Sequence, residues 1–359
     1  MCAINSCYRQ EFAKLLREIT IPSHIDKKSK YEHYNRLNSY ITKNMPKSLF
    51  RYRSTEPHNI EALRRGYISV TKPSEMGDIF DSQIAVDTKQ VLTEIKKMEG
   101  MTDDIANHIY EGKPLPDFAL QAVSPLIRRV VVSNQGFIKG NLVIKPLMRF
   151  LAATWGTVLR KRAKNELKRT VDILRETGYI ACFCEDVNRA SMWDRYADKH
   201  KGYTLEYEFE TLNARFHIID IADKCLQPDY IVLPVIYGEK YDSTLIILHS
   251  LINRFMLEKA GNNAYIHHPD ELWCIKGYLY KSDEYKHESE WRLITPLNGV
   301  APDVSPYASV TAEPKAIYYG AKMTDKTRQE LDVIAQQKGL KRYSMEINPI
   351  DIRVDAFPL

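Results

Sequence analysis

The apolar positions of the chain begin with a helical period. In residues 4–20 and again in residues 30–42, apolar side chains recur three to four positions apart, which predicts an N-terminal pair of helices. The pattern then changes to short alternating or apolar runs that predict strands, at residues 49–53, 67–71, 179–184, 203–209, 215–221, 231–237, 288–295, 316–319 and 342–347. Further helices are predicted at residues 56–65, 189–200, 242–259, 269–281 and 324–338.

Strands alternating with helices in this order predict an α+β fold with a mixed, mainly antiparallel split sheet. Residues 83–176 have a helical pattern and interrupt the strand signals, so we interpret them as a large helical insertion. We therefore expect an N-terminal helical segment at residues 1–47 and an α+β core domain at residues 48–359.

Positive charge is concentrated inside the predicted insertion. Residues 126–169 contain eleven lysines and arginines and one acid, Glu166, whereas the whole chain of 359 residues has a net charge of +5. Such a segment either binds a polyanion such as nucleic acid or packs on the acidic remainder of its own fold.

Several classes of protein are not supported by the chain. Its first residues carry charges where a signal peptide needs an apolar run, and no segment has the length and apolarity of a membrane span. Six cysteines do not form a disulfide framework at this length, so we expect a soluble cytoplasmic protein with reduced thiols. Phosphate-loop and dinucleotide glycine motifs are absent. We expect Cys182 and Cys184 to be buried on the apolar side of a strand, with no metal bound.

The candidate chemistry centres on residues 285–294, which alternate polar and apolar side chains as a half-buried strand does. Glu288, Glu290 and Arg292 would share one face. Ser289, Trp291 and Leu293 would face a core. Two carboxylates and a guanidinium on one short face either form an ion pair in solvent or line a cleft.

Two further groups of residues could belong to such a cleft. Arg51 and Arg53 are two positions apart on one strand, so both guanidiniums face one way and suit a phosphate or a carboxylate partner. That partner could be a pair of glutamates of this same chain. In the predicted helix 189–200, Trp193, Tyr196 and His200 either pack against the sheet or form the wall of a ligand pocket.

Several of these blocks together resemble a bacterial family called domain of unknown function 2971. The resemblance covers roughly residues 48–345 and is most specific in Trp193 to Gly202 and Glu288 to Ile294. The chain differs from the usual family pattern at residues 76–79. The family name implies no activity.

A looser resemblance is to the ADP-ribosyltransferases, which hold NAD in the cleft of a split mixed sheet. It implies that Arg51 or Arg53 contacts phosphate, that Ser69 orients a ribose, and that Glu288 and Glu290 are catalytic. On this hypothesis Trp193, Tyr196 and Arg292 complete the NAD site, and no metal is needed.

These observations lead to three functional hypotheses. The first is an NAD-using ADP-ribosyltransferase-like or NAD-glycohydrolase-like enzyme, a toxin or a defence effector, whose small-molecule partner is a nucleotide. The second is a nucleic-acid-binding module that uses residues 126–169. The third is a non-catalytic interaction protein.

Overall fold

The computed structural model of the chain describes residues 4–22, 25–76, 81–82, 84–111, 113, 161, 165, 168–176, 178–209, 230–250, 269–295, 307–350 and 353–359. The predicted strand at 215–221 and almost all of the basic segment 126–169 lie outside these residues.

The helices of the described residues lie at both ends of the chain and between the strands. They are α1 (Ile4–Glu18), α2 (Lys27–Asn44), α3 (Pro57–Arg65), α4 (Thr88–Glu111), α5 (Ala190–Tyr196), α6 (Trp273–Gly277) and α7 (Asp325–Gln337). Residues 168–176 and 244–250 are also helical. Short 3-10 helices span Pro73–Glu75 and Asp283–Glu288.

The strands are β1 (Leu49–Arg53), β2 (Tyr67–Thr71), β3 (Ile84–Ala85), β4 (Ile180–Cys184), β5 (Tyr203–Tyr207), β6 (Ile231–Pro234), β7 (Ile236–Tyr237), β8 (Tyr241–Asp242), β9 (Tyr280–Lys281), β10 (Glu290–Ile294), β11 (Tyr307–Thr311), β12 (Ala316–Tyr319), β13 (Lys341–Asn348) and β14 (Arg353–Pro358). Within the described residues, ten of them form one sheet. Its pairings are antiparallel apart from β12 with β13, so the predicted α+β class with a mixed, mainly antiparallel sheet is confirmed.

The sheet branches at β4. Along one edge, β4 pairs with β10 over its full length. Its other edge is shared, because Cys184 at one end pairs with Phe50 of β1 and Ile180 at the other end pairs with Thr71 of β2. Strands β1 and β2 therefore diverge beside the middle of β4, which makes the sheet split there.

Local sequence signals account for many element ends. Helix α3 begins at Pro57, whose fixed φ suits the first helical position, and ends where Gly66 adopts φ 72°. Thr324 caps α7 by accepting a hydrogen bond from the Thr327 N–H. The predicted helices at 56–65 and 324–338 are confirmed to within a residue or two.

The two faces of the sheet are covered differently. On the back face, one apolar cluster packs α3 and α7 against residues such as Phe183, Leu205 and Trp291. On the front face, a second cluster packs α1 and α2 against β6 and Tyr278, and a third surrounds Trp193. The N-terminal helices thus pack on the sheet, while a domain boundary between residues 47 and 48 stays a prediction.

Some predicted elements differ from the structure. The segment predicted as a helix at 269–281 is the short helix α6 followed by strand β9, because its apolar residues point into the front-face cluster from both elements. Helix 189–200 ends at Tyr196, and Asp198, Lys199 and His200 continue with positive φ. The insertion contains the short strand β3 as well as helix. Strands β11 and β14 were not predicted.

Candidate functional site

A cleft of about 90 Å³ lies on the front face of the sheet over β4 and β1. Aromatic and sulfur-containing side chains form most of its wall, and ionic groups form part of it. It is lined by Phe50, Tyr52, Met76, Cys182, Phe183, Cys184, Met192, Tyr196, Lys281, Glu288 and Glu290.

Strand β10 supplies the carboxylate at the bottom of the cleft. Its alternation places Glu290 and Arg292 on the front face, next to Cys184 and Cys182 of β4, while Trp291 packs into the back-face core. Glu290 is 3% exposed and Arg292 is fully buried. The predicted direction of Glu290, Arg292 and Trp291 is therefore correct.

Glu288 also lines the cleft, but it is not part of the strand in which it was predicted. It does not continue strand β10, because residues Asp283–Glu288 form a 3-10 helix and Ser289 adopts φ 45° before the strand begins. The Ser289 N–H donates to the Lys286 carbonyl, which closes the turn. This turn brings Glu288 beside Glu290 although the two are not neighbours on one strand.

Lys281 joins the two glutamates. Its Nζ lies 2.6 Å from Glu288 Oε2 and 2.8 Å from Glu290 Oε2. Neither the lysine nor its role was predicted, because residues 269–281 were interpreted as helix. The strand β9 that carries Lys281 is only two residues long, which gives almost no alternation to detect.

Arg292 lies beneath Glu290 and connects it to Asp81. The guanidinium donates through Nε to Glu290 Oε1 at 2.7 Å and through Nη2 to Asp81 Oδ2 at 2.7 Å. Its Nη1 donates to the Tyr278 carbonyl at 2.5 Å and to Ser82 Oγ at 3.2 Å. Arg292 is thus a buried support for Glu290 and not part of the cleft wall.

The buried ionic groups, which we call the carboxylate cluster, are Asp81, Lys281, Glu288, Glu290 and Arg292. They comprise three carboxylates and two cations, so one carboxylate is in excess. Burial alone would raise the pKa of Glu290, but the charges of Arg292 and Lys281 outweigh burial and hold that pKa well below its usual range. Glu290 is therefore ionised at neutral pH.

The mouth of the cleft is formed by helix α5. Tyr196 is 43% exposed, and its hydroxyl donates to Glu288 Oε1 at 2.8 Å. Burial and the neighbouring Glu288 raise the pKa of Tyr196, so it stays a hydrogen-bond donor at neutral pH. Arg195 lies 3.9 Å from Glu288 with half of its side chain exposed, where solvent screens its charge.

Cys182 is placed differently from the prediction. It is half-buried and lines the cleft beside Glu290, because the face of β4 that it shares with Cys184 is the front face and carries the carboxylate cluster at this point. Cys184 is buried in an apolar cluster as predicted, and both thiols are free. Burial and the nearby Glu290 raise the pKa of Cys182, so its thiol is protonated at neutral pH.

Trp193 packs in the core instead of forming a pocket wall. Its side chain is fully buried, its Nε1 donates to the Val187 carbonyl at 2.7 Å, and its ring meets Tyr52 edge-on at 5.3 Å. His200 stacks on the opposite side at 6.4 Å. Of the aromatic residues considered in this helix, Tyr196 alone lines the cleft.

Arg51, Arg53 and Ser69 are near one another but not around Glu290. Arg51 leaves β1 on the back face, opposite Leu205 in register, and its guanidinium lies 5.7 Å from the Phe183 ring. Its Nη2 donates to the Ser69 carbonyl at 2.5 Å, and Arg53 Nη2 donates to Ser69 Oγ at 3.1 Å. Strand alternation directs the arginines to the other face, and the cleft that contains Glu290 is not lined by Arg51, Arg53, Ser69 or Trp193. One site shared by these residues and Glu290 stays a prediction.

The N-terminal helix contacts the strand that carries Glu290. Arg9 of α1 donates through Nη1 to the carbonyls of Glu290 at 2.8 Å and Val235 at 2.7 Å. Its Nη2 pairs with Glu185 at 2.6 Å, and Trp291 Nε1 donates to the same carboxylate. Sequence alone offered no signal for this contact, which joins residues 281 positions apart.

In the described part of the chain, no group of three or more histidine, cysteine, aspartate or glutamate side chains is arranged to hold a metal ion. Over the same residues, no helix combines the length and apolarity that crossing a membrane requires.

Comparison with known proteins identifies one family. Its model, described as "Protein of unknown function (DUF2971)", matches residues 192–293, and this segment includes most of helix α5 together with Lys281, Glu288 and Glu290. The predicted resemblance to this family is thereby confirmed. No curated protein and no solved structure matches the chain.

Proposed function

We propose that the cleft binds the nicotinamide–ribose end of NAD and that the protein cleaves the bond between these two groups, with the ADP-ribosyl group passing to water or to an acceptor. The observation that carries the proposal is Glu290, a carboxylate kept ionised at the bottom of an aromatic cleft.

The chemistry of this bond matches the charges of the cleft. When the glycosidic bond breaks, its electron pair moves to the nicotinamide nitrogen, the ring loses its positive charge, and C1′ of the ribose becomes oxocarbenium-like. A nearby carboxylate stabilises this charge. Before cleavage, the cationic ring suits both the excess carboxylate and the aromatic walls.

The size of the cleft limits how much of the molecule it holds. Pockets that enclose whole drug-sized ligands measure about 300–1,000 Å³, whereas this cleft measures about 90 Å³. It therefore suits one ring and the atoms bonded to it. The remainder of NAD would lie outside the cleft mouth, past Tyr196.

Each side chain of the cleft has a separate role in this proposal. Glu290 stabilises the ribosyl cation, and Lys281 and Arg292 keep Glu290 ionised and fixed. Glu288 lies nearer the mouth beside Tyr196, where it orients a water or an acceptor. Arg51, Arg53 and Ser69 have no part in it, since none of them lines the cleft. Such an enzyme would act in the cytoplasm, where NAD is available, as a toxin or a defence effector.

The test is release of nicotinamide from NAD, measured by chromatography with and without protein, DNA, RNA and lysate. The wild type should release nicotinamide, and Glu290→Gln should lower the rate roughly a hundred- to a thousandfold, the usual effect of losing one electrostatic stabiliser. Glu288→Gln should reduce transfer more than hydrolysis.

Glu284→Gln is the matched control, because Glu284 is an exposed residue of the same 3-10 helix as Glu288. It should react at the wild-type rate. A wild-type protein that neither binds nor consumes NAD would refute the proposal. If Glu290→Gln consumed NAD at the wild-type rate, the cleft could still bind NAD, but other residues would carry out the cleavage.

A further inference from the structure

Two arginines behind the sheet, one buried and one half-buried, have no carboxylate partner among the described residues. Arg51 is 7% exposed and Arg53 is partly exposed. Among the residues that the structure describes, neither guanidinium forms an ion pair, and the ionisable groups that act on Arg53 are Tyr203, Tyr207 and Cys182.

The hydrogen bonds of these two guanidiniums leave capacity unused. Arg51 and Arg53 each donate one bond to Ser69, to its carbonyl and its hydroxyl respectively, and both acceptors are neutral. Arg51 Nη1 is buried and has no hydrogen-bond partner. An arginine carries five N–H donors, so several remain available in this place.

This lack of pairing is unusual for the molecule. The other strongly buried cations of the described chain have carboxylate partners: Arg9 pairs with Glu185, Lys72 with Glu176, Lys276 with Asp270, and Lys281 and Arg292 with the carboxylate cluster. Burying a charged group without a partner costs free energy. Two such groups side by side are expected where an anion completes them.

The branching of the sheet opens a gap between β1 and β2 at this point. Strands β1 and β2 each contact β4 at only one end, so they diverge beside its middle. The arginines of β1 extend across this gap to Ser69 of β2. Arg53 and Ser69 are both partly exposed, so the gap is open to solvent on their side.

We propose that Arg51, Arg53 and the Ser69 hydroxyl form a binding site for the phosphate group of a small molecule, in the gap between β1 and β2. Guanidinium groups bind phosphate oxygens through pairs of parallel hydrogen bonds, and a hydroxyl supplies a further donor. Two guanidiniums also balance the charge of a phosphate monoester, whereas a single carboxylate would leave one of them uncompensated.

The site is separate from the proposed NAD cleavage, because none of its three residues lines the cleft. The source of the phosphate is either the free ion or a phosphorylated metabolite such as a nucleotide. Both present the same oxygens to the arginines, so the measurement includes inorganic phosphate and adenosine monophosphate as separate ligands. Acetate is included to compare a carboxylate ligand with the phosphates.

The experiment is calorimetric titration of the full chain at constant ionic strength, with Arg53→Met, Ser69→Ala and the matched control Arg64→Met. Arg64 is an exposed arginine of α3, paired with Glu61. Wild type and Arg64→Met should bind phosphate or adenosine monophosphate, with acetate weaker. Arg53→Met should bind roughly tenfold more weakly or not at all, since it loses charge-assisted hydrogen bonds.

A second measurement separates a ligand site from a structural role. In phosphate-free buffer, Arg53→Met should melt at or above the wild-type temperature, because it removes a half-buried charge that has no carboxylate partner. Adding either phosphate ligand should then stabilise the wild type but not the variant. The proposal is overturned if the wild type binds neither phosphate ligand, if Arg53→Met binds them as the wild type does, or if Arg53→Met is destabilised without any loss of binding.

Discussion

Lys281 determines the electrostatics of the candidate site. Both glutamates place an oxygen within 2.8 Å of its Nζ, and Asp81 lies 3.8 Å away. Without this cation, three carboxylates would share Arg292, and their mutual repulsion would be less well compensated. Burial by itself would lower the pKa of Lys281, but Glu290, Glu288 and Asp81 raise it, so lysine stays charged and holds the pair together.

Glu290 should make the stability of the protein depend on pH in acid. Its pKa is lowered by folding, so its contribution is complete above its ordinary value of 4.5 and is lost progressively as the pH falls below that value. One such group changes the free energy of unfolding by up to about 1.4 kcal/mol per pH unit. Urea unfolding between pH 5 and pH 3 should therefore show a steeper loss for wild type than for Glu290→Gln.

The control for this pH dependence is Glu284→Gln, in which an exposed carboxylate is removed from the neighbouring turn. It should lose stability as steeply as the wild type. At neutral pH, Glu290→Gln should be less stable by about 1–3 kcal/mol, because its amide turns a donor toward Lys281 or Arg292. Equal acid slopes in Glu290→Gln and wild type would contradict the assigned charge state.

Residue types and alternation in the sequence were enough to predict part of the site. They gave the correct direction of Glu290, Arg292 and Trp291, since side chains alternate along any strand. They could not predict that Lys281 bridges the glutamates or that Asp81 supports Arg292, because these contacts depend on how distant segments pack. The position of Cys182 beside the carboxylate cluster on the front face was also not predicted, because the small side chain of cysteine packs on either face of a strand.

At the scale of elements, β10 connects the site to the N-terminal helix. Its side chains alternate between the carboxylate cluster and the back-face core, while the carbonyl of Glu290 accepts a hydrogen bond from Arg9. Arg9 also holds Glu185, which is 9% exposed at its side chain. Helix α1 thereby fixes the backbone from which Glu290 projects.

Arg9→Met should consequently affect both stability and the site. It leaves Glu185 buried without its cation, which typically costs about 3–5 kcal/mol, with Tyr8 and Trp291 still donating to that carboxylate. Nicotinamide release, where the wild type shows it, should fall as β10 loses its anchor. Urea unfolding and the NAD assay measure these two effects.

Arg17→Met on the same helix is the comparison for Arg9. Arg17 pairs with Glu239 at the surface, and such pairs contribute about 0–1 kcal/mol. This variant should keep wild-type stability and activity. If Arg9→Met unfolds at the same urea concentration as Arg17→Met, then α1 does not support β10 as inferred.

Element ends with strong local signals were predictable, and elements defined by packing were not. Proline at the start of α3 and glycine at its end act within a few residues, so its bounds could be predicted. The two-residue strand β9 exists because it pairs with β7, which sequence periodicity cannot detect. Ser289 adopts φ 45° although it is not a glycine, so the break before β10 carried no warning.

On the scale of the whole molecule, opposite charges lie on opposite faces of one sheet. The front face holds an excess carboxylate beside an aromatic cleft, and the back face holds two unpaired guanidiniums. The two sites share no residue, so a change in either one should leave the side chains of the other in place. This separation allows NAD cleavage and phosphate binding to be tested with different variants.

The positive charge of the chain is concentrated in one basic segment. Residues 126–169 carry eleven lysines and arginines and one acid, so the remaining residues are acidic in sum. Because nearly all of this segment lies outside the described residues, a binding experiment is needed to show whether it has a partner. Either it binds a nucleic acid through phosphate contacts, or its charge serves the fold itself.

Reversing four of these charges separates the two interpretations. If residues 126–169 bind nucleic acid, changing Arg160, Lys161, Arg162 and Lys164 to glutamate should abolish an affinity that falls steeply with salt, because each phosphate contact releases counterions. The plot of log affinity against log salt for duplex DNA should lose roughly 0.9 in slope for every contact removed. On this interpretation the four side chains face solvent, so the changes should alter the free energy of unfolding little. Fluorescence anisotropy with labelled DNA and RNA from low to physiological salt measures the affinity. Changing the four lysines of α2, a helix outside the segment, to glutamate serves as the control. A wild-type protein without nucleic-acid binding even at low salt would show that the segment's charge has an internal or solubilising role.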